Sequence, residues 1–241
     1  MKLVTEALPD PVSGKAPALL VRARRELSRV GDARRAAGAR AYMKSVMPYH
    51  GVSTPLLRES CTKIFAGLVL PSCTLWRDQV LSLWRGAKFR EERYVAIALT
   101  GHKLAKAFQT PAAMPLYEEI IVTGAWWDYV DDVAAHRVGP ILRDNPAVMK
   151  RKMLAWSRSG NMWKRRASII CQLGFKQNTD LGLLYACIEP SMDSKEFFLR
   201  KAIGWALRQY AWIDPAEVKR CARRNRARLS GLSYRQALKN V

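Results

Sequence analysis

The sequence predicts an all-α protein, built as a curved solenoid of helical pairs with a basic concave face. Three observations predict it. Apolar residues recur at helical spacing from about Ala18 onward. β-branched runs of period two are almost absent. Four similar helix starts, at Glu91, Trp127, Trp163 and Phe198, follow one another at intervals of 36, 36 and 35 residues.

The elements follow in chain order. Residues 1–18 carry Asp and several Pro without a continuous apolar stretch, so they read as a flexible or extended arm and not as a signal peptide. Arg22 to Arg40 is an Arg-rich stretch holding seven arginines against Glu26 and Asp32. Leu75, Val80, Leu81 and Trp84 mark one helix, and Tyr94, Val95, Ala98 and Leu99 the next. Pro111 opens another, with Leu116, Ile120 and Ile121 on its apolar side. Pro146 does the same for Val148 to Ser157, and Asp214-Pro215 for Ala216 to Arg228. Breaks fall at Gly101, Gly124, Gly160 and Gly231. The repeat windows each lie early in the second helix of a pair, and a period of roughly 35 to 45 residues fits HEAT-like pairs. The 241 residues then make one domain.

Charge narrows the function. Forty-one Lys and Arg against twenty Asp and Glu leave a net charge of +21, an excess that a polyanionic partner best accommodates. Nucleic acid leads, ahead of an anionic membrane surface. The apolar runs, such as Ile64 to Pro71, are too short to cross a bilayer, and a cytoplasmic, nucleoid-associated location is expected. Five cysteines without C-x-x-C spacing and three scattered histidines exclude a disulfide framework and a zinc signature. No metal and no cofactor is expected.

Three segments could carry chemistry. In Trp126-Trp127-Asp128-Tyr129-Val130-Asp131-Asp132, carboxylates and indoles crowd one helix start, and Trp127 and Asp131 share a face at i, i+4. Asp128 is explained by the helix macrodipole; Asp131, further in, is less easily dismissed. One repeat later, Lys164, Arg165 and Arg166 follow a turn at Ser159-Gly160-Asn161 and offer a phosphate cradle, or else a solvated basic turn. In the third, Gly204 costs about 1 kcal/mol against Ala in mid-helix, so something must approach it closely. Trp205 beside it reads as core or site, with Arg208 on the same side. Lys219 to Arg228 adds six basic residues without an acid.

At these segments the sequence resembles the AlkD-type DNA alkylation repair glycosylases. The matching pieces are Tyr42-Met43-Lys44, Gly51-Val52-Ser53-Thr54-Pro55, the W-W-D-Y-V-D run ending at Asp131, Trp163 to Arg166, and Lys195 to Ala211. The likeness runs from Ala41 to the C-terminus. It implies Asp131 as the catalytic carboxylate, Trp127 and Trp205 as indoles enclosing the lesion, Arg166 as a phosphate contact, and Tyr42, Thr54 and Arg208 as further DNA contacts. Ser53 departs from the longer polar residue seen in some relatives at this position. The implied reaction is hydrolysis of the N-glycosidic bond of cationic N3- or N7-alkylated purines in duplex DNA, by a monomer and without base flipping.

The residues agree chemically with that implication. A cationic purine leaves without a strong general acid, so the remaining need is to stabilise the positive sugar. A carboxylate does so, and indole faces add roughly 0.5–2 kcal/mol each. The rival readings are a non-catalytic solenoid binding distorted or branched DNA, which has no need of Trp127, Asp131 and Trp205, and a protein–protein adaptor with an acidic partner.

Overall fold

The computed structural model describes residues 18–241, so the expected N-terminal arm lies outside the described residues apart from Ala18, which begins the first helix. Fourteen α-helices follow and, among the described residues, no strand. They are α1 (Ala18–Val30), α2 (Ala33–Met43), α3 (Thr54–Ile64), α4 (Cys73–Gly86), α5 (Arg90–Thr100), α6 (Met114–Gly124), α7 (Trp127–Val133), α8 (Gly139–Asp144), α9 (Pro146–Ser157), α10 (Met162–Ile170), α11 (Leu181–Ile188), α12 (Phe197–Tyr210), α13 (Pro215–Arg224) and α14 (Gly231–Ala237). A π turn, Ala134–Val138, joins α7 to α8. No helix among the described residues is long and apolar enough to cross a membrane.

The chain is an α-solenoid of helical pairs. The second helices α5, α7, α10 and α12 pack in series, continued by α3 at one end and α14 at the other. Their partners α4, α6 and α9 each pack on the helix that follows in the pair. The four repeat windows fall within the first two residues of α5, α7, α10 and α12, as the spacing predicts. Short runs of apolar spacing form helices here because each stripe is buried against both its partner and the next pair.

Local chemistry explains most boundaries. Pro115, Pro146 and Pro215 sit in first turns, where a missing N–H costs nothing. Asp32, Ser72, Asn161, Asp180, Asp214 and Ser230 cap helix starts with side-chain oxygens. Several boundaries differ from the sequence reading. Pro111 opens a short 3-10 turn and α6 starts at Met114. Gly231 begins α14 instead of breaking a helix, because Ser230 caps it. The helix opened by Pro215 ends at Arg224 instead of Arg228, with Asn225 as its C-cap. In α4 the buried stripe is Trp76, Val80, Leu83 and Trp84, while Leu75 is exposed. Large indoles take the interior there, each worth roughly 3 kcal/mol or more if truncated to Ala. Their N–H groups are satisfied: Trp84 Nε1 donates to Thr123 Oγ1 at 2.8 Å and Trp76 Nε1 to the Leu99 carbonyl at 3.4 Å.

Buried charges lock the pairs in register. Glu91, 1% exposed, accepts from the backbone N–H groups of His50, Gly51 and Val52. That pins the loop before α3, in which Gly51 takes φ +82, with Asp32 backbone too close to admit a Cβ. Glu92, fully buried, pairs with Arg24 of α1 at 3.0 Å.

Candidate active site on the second helices

Helix α7 is held between its neighbours by two arginines. Arg90, at the start of α5, donates to both oxygens of Asp128 at 2.7 Å, and Tyr94 donates to the same carboxylate at 2.5 Å. Asp128 therefore does more than complement the α7 dipole. On the other side Arg166 of α10 donates from Nε to Asp131 Oδ1 and from Nη2 to Asp131 Oδ2, both at 2.7 Å. Its third arm reaches the Phe198 carbonyl at 2.6 Å, in the first turn of α12. Burial pushes the Asp131 carboxyl above the ordinary aspartate value, against the opposing pull of Arg166. Burial also raises the Tyr94 hydroxyl, and the adjacent Asp128 charge pushes it the same way. Tyr94 is thus a committed donor.

Asp131 and Trp205 line one open cleft of about 420 Å³, together with Asp132, Ala135, His136, Leu173, Gly174 and Gln209. A wider trough lined by Arg35, Thr54, Tyr94 and Asp128 ends on Asp132, which borders both. Trp127, the first residue of α7, is half-buried one turn before Asp131 and does not line the cleft itself. Its neighbour Trp126 is the structural indole, packed against Phe198 at 5.5 Å and Trp163 at 6.3 Å between ring centroids. Trp127 and Trp205, by contrast, stack on no other ring among the described residues, and both remain half-buried.

The remaining expected contacts separate into two groups. Tyr42 (77% exposed, at the end of α2) and Thr54 (exposed, first residue of α3) are open to solvent. Arg208 is half-buried and donates to Gln236 of α14 at 2.8 Å. Arg166, Lys164 and Arg165 are instead engaged within the chain. Arg166 is 4% exposed on Asp131. Lys164 pairs with Glu118 at 2.5 Å, and Arg165 donates to Ser191 Oγ and the Pro190 carbonyl. The turn preceding them is also occupied: Asn161 Oδ1 accepts from the Trp163 and Lys164 amides that the phosphate cradle required. A basic run that looks solvated in one dimension bridges repeats in three.

The sequence reading missed Arg90, Tyr94 and Asp128 as a network, and Asp132, His136 and Gln236 as neighbours of the site. The one available signal was a charged or aromatic residue recurring at each second-helix start. Gly204 behaves as predicted: a Cβ there would lie 2.5 Å from Gln236 Cβ and 3.1 Å from the Ser233 carbonyl, so α14 is the close approach. Among the described residues no cluster of three or more His, Cys, Asp or Glu could hold a metal ion.

The fold and this constellation define a class: helical-repeat proteins that hold an arginine-clamped carboxylate beside an open indole cleft. Residues 23–241 match the family model of the DNA alkylation repair enzymes, and the chain belongs to that family. A predicted DNA alkylation repair enzyme from Enterococcus faecalis has a similar structure, with a TM-score of 0.70 and 26% sequence identity over 87% of this chain and 95% of that one. No curated protein sequence matches the chain.

Proposed function

We propose that this protein is a monofunctional DNA glycosylase that hydrolyses the N-glycosidic bond of cationic N3- or N7-alkylated purines in duplex DNA, in the compartment that holds the DNA. The observation that carries the reading is Asp131: a half-buried carboxylate, clamped on both oxygens, at the wall of a cleft open to a macromolecule. Such a carboxylate is pre-oriented toward a positive sugar and needs no reorganisation as the glycosidic bond breaks. Trp205 in the same cleft, and Trp127 one turn from Asp131, offer electron-rich faces to a cationic base. The open shape suits a lesion read in place without flipping.

The duplex lies across the second helices as a HEAT-like, basic concave surface, bound by a monomer. Tyr42, Thr54 and Arg208 supply contacts, joined by Arg34 and Arg35 of the exposed helix α2, which have no ion-pair partner among the described residues. Arg166 serves the site by holding Asp131, with Lys164 and Arg165 bracing its helix.

The test is release of free base from a duplex containing one N7-methylguanine, with wild type and Asp131→Asn side by side. Release by wild type alone supports the reading. Tight, salt-sensitive binding by both without release, for this lesion and for bulkier adducts, would favour a non-catalytic solenoid that binds distorted or branched DNA.

A further inference from the structure

Asp131 is well placed to stabilise positive charge for as long as it stays ionised. Both of its oxygens already accept an Arg166 N–H at 2.7 Å, and that pairing holds its negative charge toward the cleft. Hydrolysis nevertheless releases a proton from the water that adds to the sugar. A second group in the cleft that received it would leave the Asp131 charge in place throughout the reaction.

Helix α7 departs from α-helical geometry immediately after Asp131 and Asp132. Over Ala134–Val138 the backbone widens into a π turn, in which the Gly139 N–H donates to the Ala134 carbonyl five residues back. In an uninterrupted α-helix, residue 136 would stand about 140° around the axis from residue 131. Within the wider turn, residues 134 to 138 no longer keep the α-helical spacing from Asp131. His136 accordingly lines the same cleft as Asp131 and Trp205, with its ring exposed. The turn is held from behind as well. Gly139 lies so close to the end of α10 that a Cβ would stand 2.3 Å from the Cys171 carbonyl. The next residue, Arg137, is drawn away from the cleft to Thr100 Oγ1 of α5 at 2.8 Å.

We propose that His136 is a further catalytic residue, the proton acceptor for the attacking water; this rests on the glycosylase reading above. The C1′–N bond breaks and its electron pair leaves with the alkylated purine, which becomes neutral. The water oxygen bonds to C1′ of the cationic sugar, and its proton passes to the free ring nitrogen of His136, then to solvent. The charged groups that share the cleft are Asp131, clamped by Arg166, and Asp132; the α10–α11 turn and α12 contribute only Leu173, Gly174, Trp205 and Gln209. Asp132 is 48% exposed with Arg137 at 4.0 Å. Imidazole is the side chain that most often carries general-base work, so the role falls to His136 and not to Asp132.

The experiment measures single-turnover base release from an N7-methylguanine duplex by wild type, His136→Ala and Asp132→Asn, with and without added imidazole. His136→Ala is expected to lose roughly a hundredfold in rate. It should keep its duplex affinity and recover much of the rate in imidazole, while Asp132→Asn stays near wild type. His136→Ala at wild-type rate, or a loss that imidazole does not restore, would overturn the proposal. A larger loss in Asp132→Asn than in His136→Ala would move the role to Asp132. If wild type itself releases no base, the glycosylase reading fails first, and the two failures are thereby distinguished.

Discussion

Arg166 donates one hydrogen bond to each oxygen of Asp131, both at 2.7 Å, and so ties the second turns of α7 and α10 to one orientation. The arginine is 4% exposed and also holds the first turn of α12 through the Phe198 carbonyl. The pair is therefore both a site component and a joint between three repeats, and its two members should fail differently.

Asp131→Asn keeps the shape but removes the charge that stabilises a cationic sugar. Base release should fall by at least a hundredfold while duplex affinity stays within about threefold. Single-turnover kinetics and fluorescence anisotropy measure the two, with circular dichroism to confirm that the variant is folded.

Arg166→Ala leaves the half-buried Asp131 carboxylate without its partner. Breaking one side of such a pair costs about 3–5 kcal/mol, which lowers Tm by on the order of 10 °C for a chain of this size. Thermal unfolding checks this. A soluble variant of unchanged Tm that has lost only DNA affinity would show Arg166 to be a phosphate contact instead of a clamp.

Burial raises the Asp131 carboxyl above its ordinary value, with Arg166 opposing. Because the charged form is the active one, activity falls as pH drops through that raised value. The loss should begin at higher pH than it would for a solvated aspartate. For stability the sign is reversed: the folded state binds this proton more tightly than the unfolded chain, so the cost of the buried charge is relieved as pH falls. The acid limb of kcat/KM for base release, alongside Tm over the same range, separates the two effects.

Arg208 donates to Gln236 yet remains half-exposed beside the cleft helix. Arg208→Ala should weaken duplex binding and reduce the slope of log affinity against log salt by about one. Salt titrations of wild type and variant give that slope directly.

Gly204→Leu would drive a side chain into Gln236 and Ser233, where a Cβ alone already falls within 2.5 Å. Overpacking should cost about 1–3 kcal/mol, and displacing α14 should loosen Trp205 and Arg208 with it. Thermal melts and base release are expected to fall together.

Much of this was legible in the sequence for stated reasons. The aligned starts at Glu91, Trp127, Trp163 and Phe198 all fall on second helices, because a repeat must bury the same stripe against each neighbour. Asp131 and Trp205 were both singled out and line one cleft. The basic run Lys164 to Arg166 was less legible. Its partners Glu118, Ser191, Pro190 and Asp131 lie 25 to 46 residues away, and no local pattern records them. The π turn was equally hidden, since its i→i+5 bond has no compositional signature in Ala134 to Val138.

By itself, the sequence determined the helical class, the pairing of helices, the excess of positive charge and the family. Each of these follows from periodicity, composition or a contiguous motif, which can be read along the chain without knowing what packs against what. The tertiary structure decided which charges are free. It buried Arg90 and Arg166 on Asp128 and Asp131, left Arg34 and Arg35 in solvent, and turned His136 into the cleft. The physical reason is desolvation: whether a charge is available to a ligand depends on what packs against it, and packing partners are set by the stacking of repeats.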